Sequence, residues 1–138
     1  MNFYSALSNK IDKKTAKIGI VGLGYVGLPL ALQFAKKKFD VIGFDIDENK
    51  IAFLKKGKSY IKHIPNEIIK NYKNNVNYQT NFHKINDVNV IILCLPTPLT
   101  KKFKPDLSYI VNTLKNIKNY LSKGQIIILE SSTYPGST

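Results

Sequence analysis

The sequence contains no arginine, and all 21 of its basic residues are lysine. With nine acidic residues the formal net charge is +12, which raises the question of nucleic-acid binding. Arginine is the usual bidentate reader of phosphates and base edges, whereas lysine acts as a point charge. The lack of arginine and the scatter of the lysines therefore argue against a nucleic-acid partner. A lysine-rich proteome in the source organism explains the excess more simply.

Cysteine and long apolar runs are also scarce. The single cysteine, Cys94, excludes a disulfide within the chain and fits a reducing compartment. Residues 1–11 contain no long apolar run, so we expect neither a signal peptide nor a membrane anchor. The length of 138 residues, 43% of them hydrophobic and 22% charged, is typical of one globular domain. We expect a cytoplasmic protein without a membrane partner.

Short apolar runs alternate with amphipathic stretches from residue 17 onward. They predict strands at 17–22, 40–45, 76–80, 88–95 and 125–130 and helices at 25–38, 47–56, 65–72 and 107–121. Pro65 and Asp106 suit the start of the last two helices, as first residue and N-cap. Such a pattern favours an α/β fold, a doubly wound parallel sheet with helices on both faces and strand order 3-2-1-4-5. Residues 1–16 are interpreted as a helical extension, and residues 17–138 as the domain.

A glycine cluster, Gly22-Leu23-Gly24-Tyr25-Val26-Gly27, follows the first predicted strand and opens the first helix of the domain. In this context a G-x-G-x-x-G pattern indicates a dinucleotide site. The first glycine makes the tight turn, the second lets the backbone approach a pyrophosphate, and the third lets helix and strand pack closely. The helix start offers free N–H groups and partial positive charge to the phosphates. A glycine turn without a ligand is the alternative.

Asp45 ends the second predicted strand, eighteen positions after Gly27. A carboxylate there accepts hydrogen bonds from the ribose hydroxyls of adenosine and repels a 2′-phosphate, so the sequence favours NAD over NADP. The alternative is a surface aspartate at a strand end. Asp47 lies two residues further on and is interpreted as a helix N-cap.

Two further loops follow predicted strands, at 96–98 and at 131–135. In an open α/β sheet the ligand crevice lies outside the carboxyl ends of the strands. The glycine turn, Asp45, the Thr97 loop and the Ser/Thr133 loop are therefore expected to meet at one edge of the sheet.

Other polar candidates carry weaker signals. His63 and His83 lie outside these loops without metal-ligand spacing, so we predict surface residues and no metal site. Cys94 falls within the most apolar strand, where a buried and unreactive thiol is expected. The basic loop at 101–104 lies near the predicted crevice and is a candidate contact for an anionic substrate.

Several segments together resemble a known family. They are Gly-Leu-Gly-Tyr-Val-Gly-Leu-Pro-Leu-Ala (22–31), Phe-Asp-Ile-Asp (44–47), Pro-Thr-Pro-Leu-Thr (96–100), Pro-Asp-Leu-Ser-Tyr (105–109) and Glu-Ser-Ser-Thr-Tyr-Pro-Gly-Ser-Thr (130–138). In this order they resemble the UDP-glucose/GDP-mannose dehydrogenase family, the nucleotide-sugar 6-dehydrogenases. Gly57-Lys-Ser-Tyr60 with His63-Ile-Pro65, together with Thr-Pro-Leu-Thr (97–100), is most similar to the UDP-N-acetylglucosamine or UDP-N-acetylgalactosamine branch.

The resemblance implies a Rossmann domain that binds NAD. By position, 22–27 would hold the pyrophosphate, Asp45 the adenosine ribose with Lys50 beside it, and Thr97 would line the nicotinamide side. Thr133 matches a threonine of the family that contacts the cofactor and helps place the catalytic water.

The resemblance also implies a reaction, the oxidation of a UDP-sugar C6 alcohol to a carboxylate by two NAD through a cysteine thioester, for surface polysaccharide synthesis. The family's nucleophilic cysteine, its lysine and asparagine partners and its glutamate lie downstream of position 138, and Cys94 does not match the nucleophile. We therefore expect this chain to be a fragment that binds NAD without turnover, lacking the substrate domain and the central helix that pairs subunits. The full-length protein is expected to be a homo-oligomer. A stand-alone NAD-sensing regulatory Rossmann module is the alternative.

Overall fold

Parallel strands form the centre of the molecule in the computed structural model, which describes residues 2–132 and Pro135. The strands are β1 (Lys17–Val21), β2 (Asp40–Phe44), β3 (Val76–Gln79), β4 (Val90–Leu93) and β5 (Ile126–Leu129). The helices are α1 (Phe3–Asp12), α2 (Gly27–Lys36), α3 (Glu48–Lys55), α4 (Asn66–Asn71) and α5 (Ser108–Ile117), with 3-10 turns at His83–Asp87 and Lys118–Tyr120. Within the described range, no helix combines the length and the apolar character needed to cross a bilayer.

The strand order is β3-β2-β1-β4-β5, and each neighbouring pair is parallel. This confirms the predicted doubly wound sheet and its order. The chain leaves β1 towards β2 on one side, and β4 lies on the other side of β1. The loops that follow β1 and β4 therefore diverge and open a crevice at the carboxyl edge of the sheet.

Helices cover both faces of the sheet, as predicted. Successive residues of β4 point to opposite faces, so Ile92 joins a larger apolar cluster and Ile91 a smaller one. The larger cluster contains the inward side chains of α2, α3 and α4, and the smaller contains Ile117 of α5 and Ile85 of the first 3-10 turn. In α1, Leu7 is half-buried against the larger cluster, while none of the residues of this helix is fully buried.

The observed helix starts correct three details of the prediction. Helix α2 begins at Gly27 rather than at residue 25, because the preceding residues complete the glycine turn. Pro65 has extended backbone and occupies the N-cap of α4, one position before the helix. Helix α5 begins at Ser108, after Leu107 as its N-cap residue, yet the Asp106 carboxylate still accepts a hydrogen bond from the Ser108 N–H at 2.9 Å.

The last strand is more exposed than its sequence predicts. Ile126 and Ile127 are 44% and 41% exposed, although the apolar run predicts burial on both faces. Among the described residues, strand β5 lies at the edge of the sheet and pairs with β4 alone. An edge position explains the exposure, because periodicity alone does not distinguish a central strand from an edge strand.

Candidate functional site

A groove of about 600 Å³ lies at the carboxyl edge of the sheet, where the loops after β1, β2, β4 and β5 meet. Seven of the predicted site residues line it: Gly22, Gly24, Tyr25, Val26, Asp45, Lys50 and Thr97. Leu23 and Gly27 are buried behind the groove and support its wall. Thr133 lies outside the described residues. Four separate loops therefore contribute to one concave surface, as the strand pattern predicts.

The three glycines of the turn have different surroundings. Gly22 has φ of +96°, and a Cβ atom there would overlap the carbonyl oxygen of Cys94. A Cβ atom at Gly27 would overlap the carbonyl oxygen of Gly22. At Gly24 no atom beyond the two neighbouring residues of the chain lies within 4 Å of the Cβ position, and this residue lines the groove. The first and third glycines thus serve the protein's own packing, and the second leaves open space at the groove, here called the cradle.

Helix α2 presents an uncapped N-terminus beside this cradle. Its N-cap residue, Val26, makes no side-chain cap hydrogen bond, and the first turn contains no acidic residue. Helix α3 is different, because the Asp47 carboxylate accepts from the N–H groups of Asn49 (2.9 Å) and Lys50 (3.3 Å). This confirms Asp47 as an N-cap. In the first turn of α2 the Leu28 N–H donates to the Gly24 carbonyl at 3.1 Å, and Pro29 has no N–H. The N–H groups of Val26 and Gly27 have no acceptor among the described residues, so they and the partial positive charge of the helix start remain for an anion.

Asp45 joins two loops at the end of β2. Its Oδ2 accepts a hydrogen bond from the Leu23 N–H, and its Oδ1 accepts one from the Asp47 N–H, both at 2.9 Å. A carboxylate has about four lone-pair sites, so each oxygen keeps capacity for a ribose hydroxyl. The side chain is half-buried and lines the groove. It is thus held in place before any ligand arrives.

Ser131 connects the loops after β4 and β5. Its Oγ accepts a hydrogen bond from the Leu95 N–H at 3.0 Å and donates one to the Leu95 carbonyl at 2.8 Å. Leu95 and Ser131 both line the groove, and so does Thr97, two positions after Leu95. The sequence placed the 131–135 loop here, but the bridging role of Ser131 has no motif that would reveal it.

Cys94 is less buried than predicted. It follows β4 directly, is half-buried and lines the groove. Burial, and after it the charge of Glu130, raises the pKa of its thiol to about 11. The thiol is therefore protonated at neutral pH, which agrees with the interpretation that it is not a nucleophile.

Tyr60 is a residue of this site that periodicity and spacing do not reveal. It lies in the loop between α3 and α4, and its hydroxyl donates a hydrogen bond to the Leu23 carbonyl in the glycine turn. The ammonium group of Lys50 lies 5.7 Å from the centre of the Tyr60 ring. The signal available in the sequence was its place in the Gly57-Lys-Ser-Tyr60 segment. Phe82, which has no sequence signal, and Tyr109, which ends the 105–109 segment of the resemblance, line the groove.

The remaining candidates lie away from the groove. His63 and His83 are exposed. The basic segment 101–104 forms the tip of a hairpin closed by a bridge between Leu99 and Pro105, and its lysines are exposed and do not line the groove. Among residues 2–132 and 135, no group of three His, Cys, Asp or Glu side chains could hold a metal ion.

Comparisons with known proteins give a consistent picture. Residues 16–138 match the family model described as the NAD binding domain of the UDP-glucose/GDP-mannose dehydrogenase family. A UDP-N-acetyl-D-glucosamine 6-dehydrogenase of Pseudomonas aeruginosa is 39% identical over 91% of this chain and 29% of its own length. A UDP-N-acetyl-D-mannosamine dehydrogenase of Campylobacter jejuni is 36% identical over 88% of this chain and 30% of its own length.

A solved structure of a UDP-D-ManNAc dehydrogenase from Pyrococcus horikoshii superposes with a TM-score of 0.82 at 31% identity, over 88% of this chain and 30% of that one. A GDP-mannose dehydrogenase from Pseudomonas aeruginosa superposes with a TM-score of 0.81 at 28% identity, over 87% of this chain and 29% of that one. The chain thus spans about three tenths of the length of each of these four relatives.

Proposed function

Because this chain belongs to the UDP-glucose/GDP-mannose dehydrogenase family and matches its NAD-binding domain, we propose that it holds NAD for a nucleotide-sugar 6-dehydrogenase. The substrate that we propose is a UDP-N-acetylhexosamine, with UDP-N-acetylglucosamine as the first candidate. Relatives whose names specify N-acetylglucosamine and N-acetylmannosamine support the class of sugar.

The observation that carries the placement of NAD is the open cradle at Gly24 between the start of α2 and Asp45. The N–H groups at the start of α2 would bind the pyrophosphate, since they combine free donors with the positive end of the helix dipole. The Asp45 carboxylate would accept hydrogen bonds from the adenosine ribose, with Lys50 beside it. Thr97 and Thr133 are proposed for the nicotinamide side, and Thr133 also for placing the catalytic water.

NAD, when bound, supplies a hydride acceptor. Conversion of a primary alcohol to a carboxylate releases two hydrides and consumes one water, so two NAD become two NADH and three protons are released for each sugar oxidised. The residues of the groove would hold and orient NAD for both steps. Since Cys94 does not match the position of the family's nucleophile, we propose that the covalent nucleophile comes from a part of the enzyme outside this chain.

Calorimetric titration with NAD and NADP tests the cofactor site. We expect NAD to bind more tightly than NADP, because the Asp45 carboxylate would repel a 2′-phosphate. Gly24→Val should lower the affinity for NAD more than tenfold, since its side chain would fill the cradle. Its fold should persist because no protein atom beyond the neighbouring residues Leu23 and Tyr25 lies within 4 Å of the new Cβ. Tighter binding of NADP, or unchanged NAD affinity in Gly24→Val, would overturn the proposal.

The substrate is tested on the complete protein that carries this chain. NADH formation should be faster with UDP-N-acetylglucosamine than with UDP-glucose, and two NADH should appear for each sugar oxidised. A single NADH per sugar would contradict the 6-dehydrogenase assignment and leave the binding of NAD standing.

A further inference from the structure

Tyr60 and Asp45 hold the same residue of the glycine turn from opposite sides. The Leu23 N–H donates to Asp45 Oδ2 at 2.9 Å, and the Leu23 carbonyl accepts from the Tyr60 hydroxyl. The side chain of Leu23 is fully buried in the larger cluster. Backbone and side chain of this residue are thus both fixed.

The hydrogen bond from Tyr60 also sets the orientation of the next N–H group. The carbonyl of Leu23 and the N–H of Gly24 belong to one planar trans peptide unit, in which the two groups point in opposite directions. With the carbonyl directed at Tyr60, the Gly24 N–H must point away from Tyr60. Gly24 lines the groove and has open space beside it. A carbonyl that accepts a hydrogen bond also makes the N–H of its peptide unit a stronger donor.

The segment that carries Tyr60 is itself braced. The Ser59 N–H donates to Asn66 Oδ1 at 2.8 Å, and the Ser59 hydroxyl donates to the Ile61 carbonyl at 3.1 Å. Ile61 and Ile64 are buried in the same cluster as Leu23. The phenol is therefore presented from a fixed backbone, as a supporting group requires.

The phenol keeps its proton over the ordinary pH range. Burial, and after it the negative charge of Asp45, raises the pKa of Tyr60 well above its usual value. The hydroxyl is consequently a permanent donor to Leu23. Its ring lies under the Lys50 ammonium group at a distance of 5.7 Å, within the range of a cation–π contact.

We propose that Tyr60 is a positioning residue for the cofactor, which fixes the Gly24 N–H as a donor to the pyrophosphate through the Leu23 carbonyl. This inference rests on the proposed placement of NAD in the groove. Tyr60 lies behind the turn, so it acts without touching the cofactor's phosphates. Its partner Asp45 fixes the preceding peptide unit, and together they shape the turn before NAD binds.

Tyr60→Phe removes the hydroxyl and keeps the ring. Loss of one hydrogen bond should weaken NAD and ADP binding by roughly 3- to 10-fold. Adenosine, which lacks the pyrophosphate, should bind as it does to the wild type. Calorimetry with NAD and ADP, and NMR titration with adenosine, measure this difference. The amide resonance of Gly24 should also shift upfield, as expected for a weaker donor.

Tyr78→Phe is the matched control. Tyr78 is 5% exposed, and its hydroxyl is buried without a hydrogen-bond partner among the described residues. Removing this hydroxyl should leave NAD and ADP affinity within twofold of the wild type. The unfolding midpoint of this variant reports what loss of a buried phenol oxygen alone does to stability.

The inference is overturned if Tyr60→Phe binds ADP within twofold of the wild type, or if adenosine and ADP lose affinity equally, because equal losses indicate general loosening. Gly24→Val distinguishes a failure of the proposed NAD site from a failure of the role proposed for Tyr60. Unchanged NAD affinity in that variant would remove NAD from the groove altogether. A large loss in Gly24→Val with none in Tyr60→Phe would remove only the role of Tyr60.

Discussion

The groove has two sides that are stabilised differently. At the ends of β1 and β2, side chains from two other loops bond to the glycine turn, whereas at the ends of β4 and β5 one serine hydroxyl connects the two loops. The first region, here the β1–β2 flank, comprises 22–27, Asp45 and Tyr60. The second, the β4–β5 flank, comprises 94–97 and 130–132. On the first flank both sides of the Leu23 backbone are bonded to side chains. On the second, Ser131 bonds both the N–H and the carbonyl of Leu95.

The two flanks also differ in what supports them. The β1–β2 flank rests on the larger apolar cluster, which contains α2, α3 and α4. The β4–β5 flank ends in an edge strand with Ile126 and Ile127 more than two-fifths exposed. Because burial and hydrogen bonding together determine local stability, we infer that the β1–β2 flank is the more rigid one. Under the proposed placement of NAD, the adenosine and pyrophosphate half meets a preformed surface.

Gly27→Ala should have the largest effect, because it breaks the packing of the β1–β2 flank. The new Cβ would overlap the carbonyl oxygen of Gly22, and both atoms belong to backbone that cannot move independently. Destabilisation of more than about 3 kcal/mol is expected, at the upper end of overpacking effects. Urea unfolding monitored by circular dichroism measures it.

Gly24→Ala is the control for that variant, three residues away in the same turn. Its Cβ meets no atom within 4 Å beyond the two neighbouring residues, so the free energy of unfolding should change by less than about 1 kcal/mol. Equal destabilisation by the two substitutions would show that the turn does not pack as described.

Asp45→Ala should have the next largest effect. It removes the acceptor of the Leu23 and Asp47 N–H groups. The bond from Asp47 is exposed, so most of the expected loss of about 1.5–3 kcal/mol comes from the part-buried bond from Leu23. NAD affinity should fall at least tenfold, and the preference for NAD over NADP should weaken. Competitive titration with the two cofactors measures both quantities. Asp40→Ala, at the exposed opposite end of β2, is the control and should leave the NAD affinity and the preference for NAD unchanged. Unchanged preference in Asp45→Ala would show that Asp45 does not select NAD over NADP.

The sequence was sufficient to predict the fold and much of the β1–β2 flank. The regular order of apolar runs determined the strand order, and the glycines and Asp45 follow from the geometry that a strand–turn–helix unit imposes. Tyr60 and Ser131 could not be found this way. Each bonds to backbone 37 or 36 positions away, and such long-range contacts leave no period or spacing in the sequence. The exposure of Ile126 depends on which strand lies at the edge of the sheet, which the sequence does not indicate. The half-buried position of Cys94 depends on where β4 ends.

Ser131→Ala should have the smallest effect of the three, and it tests the hydrogen bonds of the β4–β5 flank. It removes two hydrogen bonds to Leu95, so the free energy of unfolding should fall by about 1–2 kcal/mol. Amide hydrogen exchange should accelerate at Leu95 and along β5, and remain unchanged at Leu23. Ser122→Ala is the matched control, because its side chain is exposed and its N–H, which donates to Gln125 Oε1, is retained.

The same variant separates local opening from loss of the site. If the flanks open independently, Ser131→Ala should leave the affinity for ADP within twofold of the wild type, since the groups proposed for the pyrophosphate and ribose lie on the other flank. If the flanks open together, exchange at Leu23 should accelerate as much as at Leu95. A region that is stabilised by its own contacts does not exchange faster when a hydrogen bond is broken on the other side of the sheet. Faster exchange at Leu23 would therefore mean that the hydrogen bonds of Tyr60 and Asp45 do not make the β1–β2 flank a separate stable unit.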